Sequence, residues 1–191
     1  METKEMTPEK SLQVISDAIA KSRRDFEKDA GTPMILWGAV VLVFSILIWI
    51  LLRTTGNNMW NCLWFGIPVA GWPLSHFFLK GKEVKGAKNF VNDTITQIWI
   101  TYGIFAVVIA LALMFLAPEH IGAITMALLG YGTAMTGMVL KNSFITAGGF
   151  ITGICGVVAI FLLKTVDATA FFAVAAIVSL ILPGIMMNRK K

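Results

Sequence analysis

The long apolar stretches of this chain hold almost nothing ionisable. Charged residues make up 14% of the sequence, there are two histidines, and no Asp, Glu, Lys or Arg stands near the middle of any apolar run. Proton- and ion-coupled carriers place such groups near the bilayer midplane, where function justifies their cost, so a coupled carrier is disfavoured. The two cysteines, Cys62 and Cys155, make no disulfide framework, and no CxxC or His/Cys cluster marks a metal. Convergent carboxylates and a His-supported nucleophile are also missing. The expectation is therefore a protein that is not an enzyme and that carries no cofactor.

What the chain has in quantity is hydrophobicity, with 57% apolar residues over 191 positions. A bilayer core of about 30 Å needs roughly 20 apolar residues per helix. Six segments meet that length, at about 34–52, 59–79, 95–117, 120–140, 143–163 and 168–187. The predicted fold is all-α and polytopic: six transmembrane helices arranged as three hairpins. Residues 1–31 form a separate cytoplasmic amphipathic segment ahead of a membrane domain at 32–191. No secretory signal peptide is expected, because mostly polar residues precede the first apolar run near Met34.

Threaded through a membrane in that order, the chain puts fourteen of its sixteen Lys and Arg residues on one side, leaving only Arg53 and Lys164 on the other. Cationic loops resist translocation, so both termini are expected in the cytoplasm. The net charge of +5 does not point to nucleic acid, since the cations alternate with Glu and Asp beside the apolar segments.

The polar N-terminus reads as a helix over 7–28. Thr7 suits the N-cap, Pro8 the first helical position and Glu9 the positive end of the dipole. Leu12, Ile15, Ile19 and Phe26 share a stripe less than about 100° wide, opposite Lys10, Asp17, Lys21 and Arg24. Gly31 and Pro33 are expected to break this helix before the membrane begins. Its apolar face would then dock on the membrane surface or on a cytoplasmic protein partner.

Within the spans, neutral polarity stands in for charge. Gln97 and Thr101 in the third span, with Thr133 and Thr136 in the fourth, form a candidate polar stripe. Such residues either bond neighbouring helices or line a path for a small neutral solute. The alternative to an accessory protein is accordingly a channel or uncoupled transporter. His76 is the sole histidine inside a span and so a functional candidate, but it lies one turn from Lys80, close to the cytoplasmic interface. Glu119 and His120 read as a polar turn, and Trp37, Trp60 and Trp64 as interfacial anchors.

Gly149 and Gly153 have the spacing that lets two helix backbones approach. The partner is either the fourth helix of the same chain or the fifth helix of another copy, which keeps a homo-oligomer among the expected assemblies. Pro68, Pro73 and Pro183 predict kinks or loosened turns.

The run Thr7-Pro-Glu-Lys-Ser-Leu-Gln-Val-Ile-Ser-Asp-Ala-Ile19, leading to Leu36-Trp37-Gly38, resembles small uncharacterised six-span inner-membrane proteins of the Bacteroides type. The resemblance covers about the first forty residues and extends to the rest only in hydropathy. It implies a bacterial inner membrane and a regulatory or accessory role, and it supplies no site residues.

Overall fold

The computed structural model describes residues 7–79, 90–162 and 165–189, and every element among them is helical. In chain order these are α1 (Pro8–Thr55), a 3₁₀ helix (Asn58–Phe65), α2 (Gly66–Leu79), α3 (Phe90–Leu116), a short 3₁₀ turn (Pro118–His120), α4 (Ile121–Leu140) and α5 (Ser143–Leu162). Then come α6 (Thr165–Ala176), a π turn (Ile177–Ile181) and α7 (Leu182–Arg189). Six stretches are long and apolar enough to cross a membrane: Ala30–Thr55, Asn58–Leu79, Val91–Leu116, Pro118–Leu140, Ser143–Leu162 and Val166–Arg189. The all-α polytopic architecture is thus the one expected from hydropathy, with ends displaced by a few residues.

The expected break at Gly31 and Pro33 is absent. α1 runs without interruption for 48 residues, about 72 Å at 1.5 Å per residue. Its start follows the expected chemistry, with the Thr7 hydroxyl accepting from the Lys10 N–H and Pro8 at the first position. Pro33 removes one hydrogen bond, but the helix is held there from outside. A Cβ on Gly31 would lie 2.7 Å from the Gly184 carbonyl oxygen, and one on Gly184 would lie 2.8 Å from the Gly31 oxygen. Gly31 is therefore the point where α7 crosses α1, and a neighbouring helix makes an intramembrane proline tolerable.

The most extensive helix pair is α4 with α5, joined by the turn at Lys141 and Asn142. Ala127 meets Gly156, Gly130 meets Gly153, Ala134 meets Gly149 and Gly137 meets Thr146. Contact positions three and four residues apart on both helices are the repeat of left-handed antiparallel packing. The first and second expected hairpins pack internally, α2 against α1 and α3 against α4, while α5 packs mainly across the hairpin boundary on α4, and α6, the π turn and α7 pack on α1.

Two local departures position the core. The second span opens in 3₁₀ form, with the Asn57 side chain accepting from the Met59 N–H at 2.9 Å. This tighter winding turns Trp64 inward. At 5% exposure Trp64 is a core residue and not the interfacial anchor expected from its position. Its ring meets Phe172 edge-on at 5.0 Å, and its indole N–H donates to Asn61 Oδ1 at 3.2 Å. In the last span, Pro183 lacks the N–H that would bond Ser179, and the preceding turn widens so that the Leu182 N–H bonds the Ile177 oxygen.

Candidate functional site

Continuity of α1 decides where its amphipathic segment lies. The stretch of α1 apolar and long enough to cross a membrane is Ala30–Thr55, and the residues before it continue the same helix axis. Ile15 stands about 23 Å and Leu12 about 27 Å along the axis from Ala30. The segment that carries this face is thus a straight continuation of the first apolar helix and not a separate helix set off by a break.

The arm has two parts. Between Ser22 and Ala30 it is held by the bundle: Ser22 and Ala30 are buried, and Phe26 packs against the core together with Ile19 two turns earlier. Glu27 fixes this part, its Oε1 accepting from Asn142 Nδ2 at 2.9 Å across 115 residues of sequence. Asn142 Oδ1 in turn accepts from the N–H groups of Phe144 and Ile145 at 3.2 and 3.4 Å, capping α5. The Glu27–Asn142 bond also places the α4–α5 turn on the face from which the arm emerges.

Beyond Ile19 the arm is free. From Pro8 to Ala18 all residues but the half-buried Ser11 are exposed, among them Leu12 at 69% and Val14 and Ile15 at 56% each. The four-residue face expected from the sequence is therefore divided. Ile19 and Phe26 serve the protein's own core, and Leu12 and Ile15, joined by Val14, stay exposed among the described residues. A short exposed helix is marginal in water, and here the 48-residue α1 holds it in register.

The candidate polar stripe is also divided. Gln97 and Thr101 lie exposed on the outer side of α3, whereas Thr133 and Thr136 are buried at 0% and 2% exposure. The four do not share a surface, because α3 turns its Tyr102 side, not its Gln97 side, toward Gly132 of α4. Buried hydroxyls mostly satisfy themselves on their own helix: Ser45 on Val41, Thr136 on Gly132 and Ser179 on Ala175, at 2.7 to 2.8 Å. The Thr133 and Thr152 hydroxyls are buried with no hydrogen-bond partner among the described residues.

His76 is exposed one turn from the end of α2, beside the exposed Phe77 and Phe78. Glu119 and His120 sit half-buried in the 3₁₀ turn before α4, at the far end of the bundle. Among the described residues no three of His, Cys, Asp and Glu come together. Gly149 faces Ala134 and Gly153 faces Gly130, so α5 closes on α4 of the same chain and not on a second copy.

Sequence reasoning missed two contacts that position these elements, Glu27 with Asn142 and Trp64 with Asn61. The first joins positions too far apart for any local signal. The second was in view as an i, i+3 pair, but an apolar run around Trp64 looks the same whether its indole faces lipid or the core.

No protein-family model, no curated protein and no solved structure matches the chain.

Proposed function

We propose that this protein is a non-enzymatic accessory component of a bacterial inner membrane, with both termini in the cytoplasm, whose α1 arm recruits a cytoplasmic protein partner. The observation that carries the proposal is the continuous α1, which holds Leu12, Val14 and Ile15 exposed more than 20 Å along its axis from Ala30. Apolar side chains held there by a stiff helix fit recognition by an apolar groove or by a second amphipathic helix. The cytoplasmic placement of the arm rests on the fourteen-to-two distribution of Lys and Arg.

The test places a photo-crosslinking side chain at Val14 in the full-length protein in native membranes. A discrete protein adduct is expected, and Leu12→Asp with Ile15→Asp abolishes it without changing the amount of protein in the membrane. Adducts to lipid alone, or a protein adduct indifferent to both aspartates, would refute the proposal. Cleavage of the arm at Lys10 and Lys21 by trypsin only in inside-out vesicles tests the orientation separately.

A further inference from the structure

The α4–α5 turn has a feature that the arm does not use. Lys141 sits at φ 55°, ψ 35°, and it is the sole non-glycine residue with positive φ among the described residues. Its N–H bonds the Met138 oxygen at 3.1 Å and the Asn142 N–H bonds the Gly137 oxygen at 2.9 Å. This is the helix-ending motif in which glycine normally occupies the left-handed position. A lysine is accepted where glycine would sit without strain, and its side chain lines the edge of an open depression of about 440 Å³.

The depression is amphipathic along α5, from the turn toward the apolar middle of the helix. Lys141 and Ser143 line it at the turn, and the small residues Gly137, Thr146 and Ala147 line it too. Met138 and Phe150, 48% and 50% exposed, form walls that lie within the spans. Phe150 is seven residues, about 10 Å, deeper along α5 than Ser143. A water-soluble anion would match the rim and leave the walls uncovered, and a hydrocarbon would match the walls and leave the ammonium without a counter-charge. An amphiphile with an anionic head and an acyl chain matches both, at the depth where such molecules lie in the bilayer. The nearest carboxylate placed by a bond to this turn, Glu27, is held by Asn142.

We infer that this depression binds one anionic phospholipid from the leaflet on the side of the termini. Lys141 and the Ser143 hydroxyl hold its phosphate, and one acyl chain lies between Met138 and Phe150. The inference is independent of the arm and its partner.

Native mass spectrometry of the full-length protein in detergent, titrated with phosphatidylglycerol or phosphatidylcholine, tests it. One phosphatidylglycerol is expected to bind in preference to phosphatidylcholine, and Lys141→Gln weakens it about fivefold, the value of one cation near an anionic headgroup. Lys141→Arg retains binding. Ala147→Phe, at an exposed lining position, adds bulk to the depression without touching the charge and is expected to lose at least as much affinity. Lys141→Gly relieves the backbone and melts no lower than the wild type, yet loses the preference, which separates lost binding from lost folding. Equal affinity for the two lipids overturns the inference, and so does a loss in Lys141→Gln that Ala147→Phe does not reproduce, since that reports a general surface attraction. Competition by millimolar inorganic phosphate overturns it too, by showing a small-anion site.

Discussion

Gly149 and Gly153 look equivalent in sequence, and the structure separates them. A Cβ built on Gly149 would lie 2.6 Å from the Ala134 Cα and 2.8 Å from its Cβ, where ordinary contact begins at 3.4 Å. One on Gly153 would lie 3.6 Å from the Ala127 oxygen and 3.8 Å from the Gly130 Cα, within normal packing. Gly149→Ala must therefore push α5 from α4 by roughly 1 Å, and overpacking of this kind costs about 1–3 kcal/mol. Both substitutions gain up to about 1 kcal/mol of helix propensity, so the clash alone separates them. We expect Gly149→Ala to be less stable than Gly153→Ala by about 1–3 kcal/mol. Gly103→Ala, with no atom within 4 Å of the new carbon, sets the baseline for propensity without contact. The assay is reversible unfolding in mixed micelles titrated with SDS, followed by far-ultraviolet circular dichroism. Equal stability of the two seam variants, or a more stable Gly149→Ala, would refute the α4–α5 register.

Two further substitutions probe the core and the arm. Trp64→Phe keeps a ring against Phe172 but leaves the buried Asn61 Oδ1 without its donor, at a cost of about 1–3 kcal/mol, and Trp64→Ala is expected to cost about 3–5 kcal/mol. The same unfolding assay checks both, and near-neutral values would mean that Trp64 faces lipid after all. Glu27→Ala removes the acceptor that ties the arm to the α4–α5 turn, which is worth about 1–2 kcal/mol. Amide hydrogen exchange over residues 20–30 should accelerate in this variant, and unchanged exchange would show that the bond does not hold the arm.

Hydropathy is a property of each segment by itself, and for that reason the six spans and the all-α class were legible in the sequence. The N-terminal cap at Thr7 and Pro8 was legible for the same reason, because capping involves neighbours within one turn. Gly31 and Pro33 misled because each is a strong local breaker, and the force that overrides them comes from α7, some 150 residues later. The polar stripe misled differently. Spacing alone shows that residues share a face of one helix, and it is silent about which way that face turns in the bundle.

The sequence by itself determined how many stretches are long and apolar enough to cross a membrane and where they lie. These follow from transfer of side chains into lipid, residue by residue. Only the tertiary structure decided that α1 continues as a projecting arm, that Ile19 and Phe26 belong to the core while Leu12 and Ile15 do not, and that Gly149 needs its missing Cβ more than Gly153. The physical reason is common to all three. Each depends on how closely another helix approaches, a distance set by packing between residues far apart in the chain.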